Sequence, residues 1–179
     1  MKIEIYPLIG IKMNEIKLVL GMSLNEIITA LGEPAKIFEN MPYAPDITQI
    51  YYYESELRFD FNKESKLEFI EFLGGIDGRL HPEIYGVDAF SIHADELVDI
   101  LTQKNGEEAI DNENGYSYAF PNIGVGIYRE STPDDIEEMV KNTAEEREMF
   151  SEKDYNYELS KAIHWATIGL GDRTYYAKF

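Results

Sequence analysis

The segment GMSLNEIITALGEP, residues 21–34, is the stretch on which the fold turns. Ser23 is a favourable N-cap, and Glu26, three residues on, completes a capping box. Leu24, Ile27, Ile28 and Leu31 fall at i, i+3, i+4 and i+7, the apolar stripe of a short helix. Gly32 permits a left-handed stop, and Pro34 forbids continuation.

Seventy positions later the stripe returns as Ala94, Leu97, Val98 and Leu101, with Glu96 where Glu26 stood and a stop near QKNG, residues 103–106. Both helices precede strand-like text. After the first come AKIFE (35–39), ITQIYYY (47–53), ELRFDF (56–61) and KLEFIEF (66–72), each aromatic or β-branched and bounded by turn residues. In ELRFDF, Leu57, Phe59 and Phe61 alternate with Arg58 and Asp60, the signature of a half-buried strand. After the second come EEAI (107–110), YSYAF (116–120) and IGVGIYR (123–129), with the Asn-Gly hairpin signal of NENG before Tyr116. HWATIGLG (164–171) and RTYYAKF (173–179) supply further strand-like text after an interruption at 131–163. That interruption reads as helical. Thr132 caps, Pro133 takes the first turn, Asp134 and Asp135 suit the positive helix end, and a second helix is expected over about Ala144–Ile163.

The expectation is an α+β domain of two tandem helix-plus-antiparallel-meander repeats, joined into one curved sheet with helices on one face. Repeat one spans about 15–73, the linker 74–86 and repeat two about 87–179, with the helical insertion at 131–163. The phrase LGMSLNEIITALGEP resembles the helix that opens the β-lactamase-inhibitory-protein-like repeat, a fold also found in small outer-membrane-assembly lipoproteins. The resemblance covers the first repeat closely and the second in pattern, and it implies a fold rather than an activity. AIHWATIGLGDRTYY (162–176) and YRESTPDDIEEM (128–139) are similar to segments of firmicute proteins, some of which sit among the immunity proteins of bacterial toxin systems. That similarity implies a role in neutralising a toxin.

Composition narrows the classes. The 179 residues carry 34 acids against 16 bases, a net charge of −18, which disfavours nucleic acid and anionic membrane surfaces as partners. Acidity of this kind serves solubility, or steers the chain toward a basic partner. It is uneven: residues 130–160 hold eleven acids and three bases. Without cysteine there are no disulfides, thiolate catalysis or cysteine zinc sites. Glu4 and Lys12 interrupt the apolar start, no small-residue cleavage site follows, and no run reaches membrane-spanning length. The expected location is the cytoplasm.

Catalytic signatures are sparse. His81, His93 and His164 lack metal spacing, and there is no nucleophile elbow or P-loop. GVGIYR and GLGDRT lack the third glycine of a dinucleotide loop and read as strand glycines at sheet bends. DNENG (111–115) reads as a hairpin turn rather than a calcium loop. No cofactor or metal is expected. The leading expectation is a non-enzymatic protein-binding module for a basic partner. A small-ligand or metal-binding domain and a cryptic hydrolase are the alternatives. Tyr52, Arg58, Asp60, Glu68 and Tyr128 are expected on the open sheet face. Asp134, Asp135, Glu137 and Glu138 on the acidic insertion offer a second binding surface.

Overall fold

The structure, a computed structural model, describes residues 1–111, 113–142 and 151–176. The fold is α+β, with its strands in two sheets. The first is built from β1 (Ile3–Tyr6), β2 (Gly10–Met13), β3 (Ile16–Val19), β8 (Glu83–Ile84) and β9 (Val87–Asp88), in the order β3-β2-β1-β8-β9. The second runs β10-β11-β12-β13-β7-β6-β5-β4. Its strands are β4 (Lys36–Phe38), β5 (Thr48–Tyr52), β6 (Leu57–Phe61), β7 (Leu67–Phe72), β10 (Ile110–Asp111), β11 (Ser117–Phe120), β12 (Val125–Tyr128) and β13 (Thr167–Gly171). Every neighbouring pair in this larger sheet is antiparallel. Its two four-strand runs meet where β7 pairs with β13, Ile70 opposite Leu170.

The helices are α1 (Leu24–Leu31), α2 (Ala94–Asn105), α3 (Pro133–Asn142), α4 (Glu152–Ala162) and a single turn, α5 (Arg173–Tyr176). The capping box of α1 is formed: the Ser23 amide donates to Glu26 Oε2 at 2.7 Å and the Glu26 amide to Ser23 Oγ at 3.3 Å. Gly32 ends the helix at φ 84°, with its amide on the Ile28 carbonyl. In α3, Thr132 and Asp135 play the same reciprocal part.

One core lies between the larger sheet, α1, α2 and the smaller sheet. It joins Leu57, Phe59, Phe61, Ile70, Phe72, Ile168 and Leu170 to Ile27, Leu97 and Leu101, and on to Ile3, Ile5, Ile11 and Met13. Trp165 closes it, donating from Nε1 to the Ala94 carbonyl at 3.0 Å.

Three expectations change. Residues 3–19 form strands, and the linker 74–86 contributes β8, so a second sheet joins the helices over the covered face. The cause is legible in the pattern: Ile3 and Ile5 alternate with Glu4, and Ile11 and Met13 flank Lys12. Asn14 turns the β2–β3 hairpin at φ 51°. Arg173–Tyr176 is helical rather than a strand, because Asp172 Oδ1 accepts the Thr174 and Tyr175 amides at 2.7 and 3.0 Å and nucleates a turn. Residues 177–179 of that expected strand, and 144–150 of the expected second insertion helix, lie outside the described residues.

Candidate functional site

Pairing registers fix which side chains face away from the core. One row crosses all eight strands of the larger sheet: Lys36, Tyr51, Arg58, Glu71, Gly169, Gly126, Ala119 and Ile110, each opposite the next. Tyr52 has the opposite parity. It sits with Ile50 on the covered face, 6% exposed, its hydroxyl donating to the Gly32 carbonyl at 2.8 Å. Its expected place on the open face is therefore corrected by the two-residue period of β5.

Arg58 and Asp60 do share the second face, but Asp60 is buried and Arg58 half-buried rather than both being solvated. The guanidinium lies 5.4 Å from the Phe69 ring centroid, with Nη1 3.0 Å from Glu71 Oε2 and Nε 3.0 Å from Asp60 Oδ1. The Nε–Oδ1 approach is a close charge contact without hydrogen-bond alignment, so it stabilises through attraction alone. Gln49 Nε2 donates to Asp60 Oδ2 at 3.2 Å, the Tyr51 hydroxyl to Gln49 Oε1 at 3.1 Å and Thr167 Oγ1 to Glu71 Oε1 at 3.1 Å. Burial pushes the Asp60 carboxyl up to about 6, against the opposing pull of Arg58 and Gln49. Burial also works against the charged guanidinium of Arg58, but Glu71 and Asp60 outweigh it and raise its pKa.

The folded pKa of Asp60 thus lies above its unfolded value of about 3.9. Its contribution to stability is present below about pH 4 and lost as pH rises through 6. Asp60→Asn keeps the acceptor for Gln49 and removes the titration. Relative to wild type, the variant gains about 2–3 kcal/mol between pH 4 and 7. Urea unfolding at several pH values measures the difference, and parallel stability curves would contradict it.

The glycines of this face have a role other than bending strands. Gly126 and Gly169 are directly paired, and Tyr176 lies over both. A Cβ on Gly126 would stand 2.4 Å from Tyr176 Cε1, and one on Gly169 would stand 2.4 Å from Phe69 Cζ. Tyr175 stacks on Phe69 with centroids 4.3 Å apart and an interplanar angle of 7°. Together Phe69, Ala119 and Tyr176 form a small second core on this face.

Beside that core opens a cavity of about 340 Å3, whose lining includes Arg58, Glu71, Glu113, Tyr128, Thr167 and Tyr175. Tyr128, 41% exposed, stands on it as expected of an open-face residue. Glu68 sits at the β6–β7 register shift, half-buried, where its charge acts on the Tyr175 hydroxyl. No family model, curated protein or solved structure matches the chain.

The acidic insertion divides its residues between tasks. Asp134, Glu137 and Glu138 are exposed on α3, and Glu137 reaches Lys141 at 3.2 Å. Asp135 is structural. Its Oδ2 accepts the Tyr116 hydroxyl and the Thr132 amide, both at 2.6 Å, and these bonds hold its carboxyl below the usual range. The Tyr116 bond ties α3 to the start of β11, next to Ser117 on the cavity wall.

The histidines serve the fold. His93 Nδ1 caps α2 by accepting the Asp95 amide at 3.3 Å, and His164 Nδ1 meets the Ser160 carbonyl at 2.6 Å. His81 comes together with Asp88 and Ser91, the three residue types of a nucleophilic triad. Yet Asp88 Oδ2 and Ser91 Oγ both approach Nδ1, at 2.9 and 3.3 Å, while Nε2 faces the Gly78 carbonyl at 3.1 Å. Serine and carboxylate therefore share one ring nitrogen, whereas the triad needs them on opposite ones. Among the described residues no group of three or more histidine, aspartate or glutamate side chains is placed to hold a metal, and no helix is long and apolar enough to cross a membrane.

Sequence reasoning named Arg58, Asp60, Glu68 and Tyr128, which the sheet gathers on or beside one face. It missed Gln49, Phe69, Glu71, Thr167, Tyr175 and Tyr176. Glu71 was within reach, since it alternates with Ile70 and Phe72 on a strand next to Arg58.

Proposed function

We propose that this chain is a non-enzymatic protein-binding module, an immunity or inhibitor protein that masks a basic partner in the cytoplasm. The observation that carries the reading is an aromatic, carboxylate-bearing cavity on the second sheet face, anchored through Tyr116–Asp135 to an acidic helix. In a chain of net charge −18, both surfaces favour encounter with a positively charged protein. The succession of α1 with β4–β7 and α2 with β10–β13 supports the tandem-repeat reading, in which paired helices cover one face and leave the other for a partner.

Co-expression with the product of the adjacent open reading frame, followed by co-purification, tests the proposal. The expected result is a complex whose association rate falls steeply with added salt. Replacing Asp134, Glu137 and Glu138 together by lysine slows association about tenfold or more while leaving the fold intact, because exposed charges act mainly on the encounter rate. A neighbour that does not bind, or binds at a rate indifferent to salt, would sink this version. The cavity also favours a second reading, a domain for a small ligand, which a thermal-shift screen with metabolites separates by a concentration-dependent rise in melting temperature.

A further inference from the structure

We infer that the cavity on the second sheet face receives the charged end of one arginine or lysine side chain from a protein partner, an inference that rests on the protein-binding reading above. Two features of its lining select a cation. First, Tyr128 and Tyr175 present aromatic surface, and ring faces attract ammonium and guanidinium groups. Second, carboxylates outnumber bases there. Arg58 is the basic side chain in the lining, and it already lies 3.0 Å from both Asp60 and Glu71. Glu113 stands at the same cavity, exposed and additional to that balance, and Glu68 adds its charge next to Tyr175. An anion entering the cavity would meet these carboxylates, and a neutral chain would gain nothing from them.

The fold already uses this chemistry internally. Arg58 lies between the Phe69 ring and two carboxylates, and Arg129 lies 5.0 Å over Trp165. A partner's arginine would repeat the arrangement against Tyr128 and Glu113. Its aliphatic stem has apolar wall to pack on at Ile110 and Ala119. β10 is the terminal strand of its sheet, so the cavity opens beside a sheet edge where an extended partner segment can approach.

The test uses the full chain, 15N-labelled, with three probes: N-acetyl-arginine amide, its neutral isostere N-acetyl-citrulline amide, and a hexa-arginine peptide at low salt. The arginine probe is expected to shift amides in 113–119, 126–128 and 167–171, with the citrulline probe at least tenfold weaker. The pair of substitutions Glu113→Gln and Tyr128→Ala, both at exposed positions, is expected to weaken the arginine probe about tenfold. Equal binding of the citrulline probe, or an affinity untouched by the two substitutions, overturns the inference. Hexa-arginine shifts confined to α3 overturn the cavity inference and leave the basic-partner reading standing. No hexa-arginine binding at all overturns both.

Discussion

Arg58→Met lowers the free energy of unfolding by about 3 kcal/mol at pH 7, the lower end of the range for removing one partner of a buried ion pair, because Asp60 is buried while Arg58 and Glu71 are half-buried. Methionine keeps much of the stem that packs on Phe69, so lost volume contributes little. What is lost is the positive charge 3.0 Å from Glu71 and from Asp60, and Asp60 is 6% exposed. Burial already resists ionisation of Asp60 with the guanidinium present. Without it, both carboxylates face each other across β6 and β7. The loss should shrink at pH 5, where Asp60 takes up a proton, and Arg58→Lys should recover part of it. Urea denaturation at pH 7 and pH 5 measures both. A loss below about 1 kcal/mol would mean that the cluster behaves like an exposed pair.

The second large effect lies at the paired glycines. Gly126→Ala places a methyl group 2.4 Å from the Tyr176 ring, deep inside contact distance. The ring must leave its seat, and the stability loss is expected to reach about 3 kcal/mol, the upper part of the range for overpacking. Tyr176→Ala should cost about 3–5 kcal/mol by itself, through loss of a buried aromatic. The two changes share one interaction. The double variant should therefore be far less destabilised than the sum, and a double-mutant cycle reads this as coupling of at least 1 kcal/mol. Strict additivity would show that the tyrosine does not depend on the glycines.

The elements that local pattern dictates were legible. The capping box of Ser23 and Glu26, the stripe of α2 and the alternation of β6 are all decided within a dozen residues. The smaller sheet was legible in principle, because Ile3, Ile5, Ile11 and Met13 alternate around an Asn14 turn. Glu4 and Lys12, which interrupt the apolar text, are the polar positions of that same period. RTYY misled because tyrosine and threonine favour strands, while Asp172 supplied a helix-start signal that wins locally.

The candidate site was the least legible part. Its cavity draws on β6, β7, β10, β11, β12, β13 and α5, and no local pattern records how they meet. Gly126 and Gly169 show the difficulty most clearly. A strand glycine has one spelling whether it bends the chain or makes room for a ring, and only the tyrosine seated on it tells the two apart.

The seam between β7 and β13 sets a timetable for synthesis. β7 ends at Phe72 and its neighbour begins at Thr167, so at ribosomal speeds roughly 5–20 s pass before the pairing strand exists. During that interval the nascent chain carries β7 as an unpaired border, with Phe72 and Ile70 ready to pair with any extended segment nearby. Productive folding of the larger sheet is therefore a late event. The period of greatest exposure to misassembly falls while the chain is still being translated.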